Sequence, residues 1–538
     1  MLNSMFQEDV FEVTYEDLLG RVGRLHTKSG IIETPCIFPV VHPANQPVSP
    51  KEMWSMGFKA VMTNAYLARK FFGPDVGMRI HRILDFPGVV ATDSGAYQIL
   101  VHGGIDATQE EIINFEEKID SDIAVILDVP TGLTANRRHA ERTVNETLER
   151  ADRALRVFRK RDILWVGPVQ GGLHLDLLSK CAREMSSKGF PIIALGSPTQ
   201  VMEKYMYKDL ARMILTCKSN IEPRKPLHLF GAGHPSMLAL AVSLGCDLFD
   251  SASYNIYARN NRYMMPHGTF KLDELHYLPC SCEVCRKTSV KNLLDLPVEE
   301  RTRRLSIHNL NVLLDEINMV KQSIVEGRLW EHLIQRVRAH PKLFEPIHQL
   351  KDYYEMFEFH TPISKGRGLF YFDHLDLLRP EVERFRRNVN KSYSPPEKLR
   401  NLLLLPPPQS KPYSSSRSIK RLLKAAVTRK FEICFYAIPY GVVPFELSDI
   451  YPVSQTEIHG QPDEISILDT AEMVFQYLVN HRYERVVAYV LNEYWAKRVS
   501  SKVRSACAKT SQRLTVFNHR GESWGDEAIE NLIRIMKR

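Results

Sequence analysis

The first 260 residues alternate short apolar runs with segments whose apolar residues recur at helical spacing. Most of the runs are continuously apolar, which is typical of parallel strands that are covered on both faces. One intervening helix is predicted to begin with a capping box formed by Thr108 and Glu111. The eight predicted strands are residues 31–41, 59–64, 88–92, 122–127, 163–169, 190–195, 226–230 and 246–249.

Eight strand–helix units within about 250 residues predict a protein of the α/β class built on a (β/α)8 TIM barrel. An open, doubly wound sheet is the alternative, but no G-x-G-x-x-G turn follows the first predicted strand. We expect smaller α+β or α/β domains after the barrel.

After residue 270 the pattern changes to a helical region at 309–337 and then to segments punctuated by proline. Three further strands are predicted at 431–437, 486–490 and 514–517, and an amphipathic helix closes the chain. The predicted domains are the barrel with the segment that follows it at 1–345, a basic linker or accessory domain at 346–428, and a C-terminal α/β accessory domain at 429–538.

Positive charge is concentrated in the last third of the chain. Residues 351–538 hold 29 Lys and Arg against 22 Asp and Glu, an excess of seven out of a net charge of +8. A basic region beside a nearly neutral one indicates a polyanion partner such as a nucleic acid, although a solubilising surface is the alternative. Residues 411–431 contain no acid, and their candidate RNA-binding residues are Lys411, Arg417, Lys420, Arg421 and Lys424.

The chain has no apolar stretch near the roughly 20 residues of a membrane span, and its first residues do not form a signal peptide. We therefore expect no membrane association and a cytoplasmic location. Six of the nine cysteines are scattered singly and three are clustered, which favours a metal site over a disulfide framework.

The clustered cysteines are Cys280, Cys282 and Cys285, and His308 lies downstream. Three thiolates and one imidazole make a closed tetrahedral zinc site, in which every ligand comes from the protein. We expect one structural Zn²⁺ per chain, with His308 as the fourth ligand, in a zinc-binding insertion of the barrel domain at 1–345.

Polar residues follow six consecutive predicted strands, and in a barrel such positions share the carboxyl-terminal rim. Taken singly, each could be a helix cap. Two of them, Asp93 and Asp250, suit chemistry at a sugar C1′, where one carboxylate attacks and the other moves a proton. Composition alone leaves a metal-binding pair as the alternative.

Several ordered motifs resemble those of the tRNA-guanine transglycosylase family, across roughly residues 10 to 310. Thr92-Asp93-Ser94-Gly95-Ala96-Tyr97-Gln98 is similar to the family's D-S-G-x-[FY]-Q motif. The C-x-C-x-x-C motif also fits. The segment Asp250-Ser251-Ala252-Ser253-Tyr254 and the long extension after the barrel look archaeal rather than bacterial. The other similar segments are Gly20-Arg21-Val22-Gly23-Arg24-Leu25, Glu33-Thr34-Pro35, Leu127-Asp128-Val129-Pro130-Thr131, Gln170-Gly171-Gly172 and Leu248-Phe249-Asp250-Ser251.

The resemblance implies a base exchange that replaces guanine 15 of the tRNA D-arm with 7-cyano-7-deazaguanine (preQ0), a step in archaeosine biosynthesis. Asp250 would be the covalent nucleophile and Asp93 the general acid/base, with the reverse assignment as the alternative. Asp128 and Gln170 would bind the base edge. The turn from Ala194 to Gly196 would supply backbone groups, and Tyr97 would stack on the base. The target nucleotide must leave its stack to reach the rim.

Two departures from the family bear on function. Residues 406–419 resemble a motif of the archaeosine synthase paralogue, but Pro407 and Ile419 stand at its cysteine and histidine positions. Without that cysteine a nitrile cannot be captured covalently, which argues against the first alternative, an archaeosine synthase-like paralogue. The second alternative is a non-catalytic tRNA-binding partner, which should have lost one of Asp93, Asp128 or Asp250, and none is lost. The resemblance also implies a terminal PUA module, which the sequence pattern does not indicate here. We expect a separately encoded PUA-domain protein as a partner, and a homodimer.

Overall fold

The computed structural model describes residues 10–96, 98, 106–519 and 522–538. The chain divides into two compact units, the barrel unit at Met1–His360 and the C-terminal unit at Thr361–Arg538. Among the described residues, no helix combines the length and the apolar character needed to cross a membrane.

The barrel unit begins with a three-stranded antiparallel sheet of β1 (Phe11–Asp17), β2 (Gly20–Thr27) and β3 (Gly30–Thr34). Its Phe11 and Ile32 share a buried core with Ala60 and Val89, the first residues of two barrel strands. This sheet therefore covers the amino-terminal end of the barrel. The predicted strand at 31–41 is in fact two strands, one on each side of Pro35.

Eight parallel strands close into a barrel, as the sequence predicts. The sheet order is β4-β11-β10-β9-β8-β7-β6-β5, and Val40 bridges to Met62 in parallel across the remaining seam. The backbone N–H of Val41 also donates to the carbonyl of Met62 at 2.8 Å. The strands are β4 (Cys36–Pro39), β5 (Ala60–Asn64), β6 (Val89–Asp93), β7 (Ile123–Val125), β8 (Leu164–Val169), β9 (Ile192–Leu195), β10 (Leu227–Leu229) and β11 (Leu248–Ser251).

Helices between the strands bury the apolar residues that repeat every three or four positions, as in the helix Arg137–Val157 with its buried Val144, Leu148 and Ala151. The capping box of Thr108 and Glu111 is confirmed. Helices up to β11 are α1 (Pro50–Met56), α2 (Ala65–Phe72), α3 (Ile80–Leu84), α4 (Gln109–Lys118), α5 (Arg137–Val157), α6 (Leu175–Ser187), α7 (Thr199–Glu203), α8 (Tyr207–Lys218) and α9 (Pro235–Ser243).

The rest of the barrel unit holds the cysteine cluster and a long packing helix. The helical region predicted at 309–337 is two helices, and the first begins 11 residues earlier than expected, at Val298. The elements are α10 (Ser253–Arg259), the hairpin β12 (Arg262–Met265) and β13 (Gly268–Lys271), α11 (Glu283–Arg286), α12 (Val290–Leu294), α13 (Val298–Val325), α14 (Leu329–Val337), α15 (Pro341–Phe344) and α16 (Tyr354–His360), with 3-10 helices at Leu272–Glu274 and Glu345–Tyr353.

The C-terminal unit is built on a five-stranded sheet of order β17-β16-β15-β19-β20, parallel except for the edge strand β17. Residues on both sides of the boundary predicted at 428, such as Leu404 and Phe435, share one hydrophobic core. The strands are β14 (Leu369–Tyr371), β15 (Asn401–Leu405), β16 (Phe431–Ala437), β17 (Gly441–Pro444), β18 (Thr456–Ile458), β19 (Arg485–Val490) and β20 (Arg513–Asn518), and the helices are α17 (Pro380–Lys391), α18 (Arg417–Lys424), α19 (Glu464–Asn480), α20 (Tyr494–Thr510) and α21 (Asp526–Lys537). Shorter 3-10 helices lie at His374–Leu378, Tyr413–Ser415, Ala426–Lys430, Phe445–Leu447 and Val453–Gln455.

Candidate active site and metal centre

A cavity of about 970 Å³ opens at the carboxyl ends of the barrel strands. Asp93 ends β6 and Asp250 lies in β11, while Asp128, Gln170 and Gly196 lie just beyond β7, β8 and β9. All five line this one cavity. The barrel therefore brings together residues that are up to 157 positions apart in the sequence.

Asp93 is held by two donors at the end of its strand. Asn64 Nδ2 donates to Asp93 Oδ2 at 3.1 Å, and the backbone N–H of Gly95 donates to the same oxygen at 3.3 Å. Burial, followed by the negative charges of Asp250 and Asp128, raises the pKa of Asp93 to about 7. A carboxyl group with this pKa can both give and accept a proton near neutral pH.

Asp250 is fixed through a single carboxylate oxygen. His228 Nε2 lies 2.9 Å from Asp250 Oδ1, and the backbone N–H of Gly231 donates to the same oxygen at 3.0 Å. His228 is almost fully buried, and its ring stacks on Phe38 at a centroid distance of 5.9 Å. Sequence reasoning missed His228, although a histidine within the otherwise apolar strand at 226–230 was an available signal.

Asp128 and Gln170 form a buried pair on the opposite part of the rim. Gln170 Nε2 donates to Asp128 Oδ2, while Gln170 Oε1 accepts from the backbone N–H of Thr131 and from Ser197 Oγ, both at 2.9 Å. Burial raises the pKa of Asp128 to about 6. A side chain at Gly196 would place its Cβ 2.2 Å from Gln170 Nε2, so this close approach requires glycine.

Ala194 and Tyr97 are the two remaining residues that were predicted to contact the base. Ala194 is fully buried in β9, where it packs into the barrel core, and it is not among the residues that line the cavity. Its backbone is paired with β8 and β10 on either side. Tyr97 lies outside the described residues.

Cys280, Cys282, Cys285 and His308 come together as predicted, with their ligand atoms all within 4.8 Å of one another. His308 Nδ1 lies 3.6 Å from Cys282 Sγ and 3.4 Å from Cys285 Sγ. Four ligand atoms at these separations fit around one metal ion. The four residues can therefore hold a metal.

The surroundings fix the orientation of the histidine. His308 Nε2 donates to the carbonyl of Met264 at 2.8 Å, which leaves Nδ1 directed at the sulfur atoms. The Tyr263 ring stacks on the imidazole at a centroid distance of 3.7 Å, and Tyr263 Oη lies 3.3 Å from Cys285 Sγ. A backbone carbonyl behind a histidine is the arrangement that orients a metal ligand.

The basic segment of the C-terminal unit lies largely on α18. Arg417, Lys420 and Lys424 are exposed, whereas Arg421 forms ion pairs with Asp526 and Glu530 of α21. Lys411 is exposed on the preceding loop. The neighbouring Tyr413, which the sequence pattern placed among the basic residues, is buried and packs against Phe435.

The fold and the rim define the class of the protein: it is a (β/α)8-barrel enzyme with a pair of carboxylates in its cavity. Residues 17–342 match the family profile described as queuine tRNA-ribosyltransferase, so the chain belongs to that family. Residues 382–536 match a domain of unknown function, DUF5591.

Curated relatives agree with this family membership. The tRNA-guanine(15) transglycosylase of Sulfolobus acidocaldarius is 40% identical over 482 residues, which cover 88% of this chain and 94% of the relative. The protein of the same name from Saccharolobus solfataricus is 41% identical, covering 89% and 96%. The one from Thermococcus kodakarensis is 42% identical over 386 residues, covering 71% and 66%.

Proposed function

We propose that the protein exchanges guanine 15 in the D-arm of tRNA for preQ0, through a covalent enzyme–tRNA intermediate in archaeosine biosynthesis. The observation that carries the proposal is the placement of Asp93 and Asp250 in one cavity, together with Asp128 and Gln170. Family membership and the shared name of the relatives support the same conclusion.

In the first half-reaction, a carboxylate oxygen of Asp250 attacks C1′ of the target ribose. The new C1′–O bond replaces the C1′–N9 bond, and the electron pair of that bond leaves with guanine. Asp93 gives its proton to the departing base. The two donors on Asp250 Oδ1 keep the carboxylate oriented, and Oδ2 forms no hydrogen bond to a described residue.

In the second half-reaction, Asp93 accepts the proton that preQ0 loses as its nitrogen bonds to C1′. The bond between C1′ and Asp250 breaks, and the carboxylate is restored. Asp128 accepts hydrogen bonds from the donor edge that guanine and preQ0 share, and Gln170 orients Asp128. A carboxyl pair in which one group titrates near neutrality suits this alternation of proton donor and acceptor.

The metal bound by Cys280, Cys282, Cys285 and His308 would be one structural Zn²⁺ per chain. The support is the ligand set itself, because thiolate and imidazole ligands with no water position are typical of structural zinc. When bound, the ion ties the segment after β13 to α13 and supplies no chemistry to the cavity.

The partners follow from the same function. tRNA is the macromolecular substrate, and a tRNA-modifying enzyme of this kind acts in the cytoplasm. We also propose that the protein forms a homodimer and that a separately encoded PUA-domain protein is a partner. Size-exclusion chromatography with light scattering tests the first, and pull-down from the native cell followed by an exchange assay tests the second.

The decisive experiment measures release of labelled guanine from tRNA when preQ0 is added. Wild type should release guanine from position 15 and incorporate preQ0 there, as read by mass spectrometry of nuclease digests. Asp250→Asn should release none and form no covalent adduct, while tRNA binding survives. Full exchange by Asp250→Asn would overturn the mechanism, and absence of exchange by wild type on any D-arm guanine would overturn the function.

A further inference from the structure

Tyr205 occupies a backbone position that favours glycine. It follows α7, where its N–H donates to the carbonyl of Met202 at 2.9 Å and the N–H of Met206 donates to that of Val201 at 3.0 Å. These two hydrogen bonds are typical of a helix C-terminus that is followed by one residue in the left-handed region. Tyr205 is that residue, with a φ of 56°. Since a non-glycine residue is disfavoured in this region, the turn alone does not account for a tyrosine.

The ring of Tyr205 is held in place and yet open to solvent. It packs against the His340 ring in a tilted arrangement, with a centroid distance of 5.2 Å and an interplanar angle of 33°, and it contacts Tyr207 edge-to-face at 6.0 Å. His340 is itself fixed, because its Nδ1 accepts from the backbone N–H of Lys342 at 3.1 Å. Half of Tyr205 (51%) remains exposed.

Tyr205 lines the same cavity as Asp93 and Asp250. The volume of about 970 Å³ is at the upper end of the range for ligand sites, well beyond what a single purine fills. Tyr257, His340 and Arg262 also line it, so aromatic rings and a cation accompany the catalytic carboxylates. Aromatic rings beside a cation are the combination that binds unpaired nucleotides.

We propose that Tyr205 is a stacking platform for the base of a nucleotide that flanks the target nucleotide in the tRNA. When the target leaves its stack, a neighbouring base loses a stacking partner, and the exposed face of Tyr205 replaces that partner. His340 supports the ring from behind. Tyr205 is thus a positioning residue for the exchange, and this proposal rests on the proposed function, since it assumes a tRNA substrate.

The test replaces Tyr205 with a residue that tolerates its backbone. Asparagine adopts the left-handed region readily, so Tyr205→Asn removes the ring without straining the turn. Tyr205→Phe keeps the ring and removes only the hydroxyl. Tyr15 in β1 is the matched control, because it is also 51% exposed and does not line the cavity.

We expect Tyr205→Asn to weaken tRNA binding roughly 5- to 100-fold, as loss of one base–aromatic stack predicts. Tyr205→Phe and Tyr15→Asn should bind as wild type does, and all three should melt within a few degrees of it. In tRNA that carries 2-aminopurine at position 14 or 16, one of the two probes should be quenched by wild type and not by Tyr205→Asn.

Wild-type affinity of Tyr205→Asn, or equal loss of affinity in Tyr205→Phe, would overturn the platform. Quenching of neither probe would also overturn it. Binding and fluorescence are measured without turnover. An enzyme that stacks the flanking base but exchanges no guanine would therefore refute the proposed function and leave the platform standing.

Discussion

His228 Nε2 and Asp250 Oδ1 are 2.9 Å apart at the base of the cavity. An ionised carboxylate only accepts hydrogen bonds, so Nε2 carries the hydrogen when Asp250 is charged. His228 comes from β10 and Asp250 from the neighbouring strand β11, and the parallel register places the two side chains together. The histidine therefore sets the direction of the carboxylate that, in the proposed mechanism, attacks C1′.

Replacing this histidine should slow turnover without weakening tRNA binding. His228→Phe keeps a planar ring to stack on Phe38 but removes the donor to Asp250. We expect kcat to fall about 10- to 100-fold, because a misplaced nucleophile loses its attack geometry. His228→Gln, which restores an N–H donor, should recover part of the loss. An unchanged kcat in His228→Phe would show that Gly231 alone positions the carboxylate.

The raised pKa of Asp93 predicts that this residue destabilises the protein at alkaline pH. Its pKa is about 7 in the folded chain, against about 4 in an unfolded one. Between these values the folded state binds more protons, so the stability contribution is lost as pH rises from 4 to 7. Asp93→Asn should therefore be more stable than wild type at pH 8, by at most about 4 kcal/mol, the free energy that corresponds to a pKa difference of about three.

Calorimetry at pH 5 and pH 8 tests the predicted direction of this change in stability. The difference between Asp93→Asn and wild type should shrink at pH 5, where the wild-type carboxyl is mostly protonated. The same variant should have no exchange activity at either pH. A melting difference that is constant with pH would mean that Asp93 is not the group with the raised pKa.

Loss of the metal is expected to lower the stability of the protein first and its exchange activity second. Cys282→Ser should lose zinc, measured by atomic emission, and lower the melting temperature by several degrees because the ligands no longer tie α13 to the segment after β13. Cys36→Ser removes a cysteine outside the cluster and is the matched control. Wild-type zinc content in Cys282→Ser would contradict the assignment of this residue as a ligand.

The barrel was predictable from sequence because its strands are continuous apolar runs separated by periodic helices. The rim was predictable for the same reason, since a polar residue directly after such a run must lie at the strand end. Asp93, Asp128, Gln170 and Asp250 are examples. The candidate metal ligands were predictable because three cysteines within six residues are typical of a metal site.

Other features depend on contacts that spacing does not encode. His228 lies within a strand, and its role appears only when β10 and β11 are paired. Ala194 belongs to the same predicted turn as Gly196. Side chains alternate in direction along β9, however, and this alternation directs the Ala194 side chain into the barrel core. Leu402–Leu405 reads as a short apolar run, and only the sheet order identifies it as the central strand of the C-terminal unit.

The basic residues of α18 are predicted to bind tRNA, and the structure divides them into exposed residues and one residue that is held in ion pairs. Arg417, Lys420 and Lys424 are exposed, whereas Arg421 is engaged by Asp526 and Glu530. Replacing the first three together with alanine should weaken tRNA binding at least tenfold at low salt and flatten its salt dependence, because each phosphate contact releases counterions. Exchange on saturating tRNA should be largely kept.

Arg421→Ala is the matched control on the same helix. Its ion pairs are partly exposed, so their loss should lower stability only slightly and leave the salt dependence of tRNA binding intact. Filter binding between 50 and 200 mM salt, the range over which phosphate contacts weaken most visibly, distinguishes the two variants. If the triple variant and Arg421→Ala gave the same slope as wild type, α18 would be an ordinary solvated helix, and the phosphate contacts would have to be sought elsewhere.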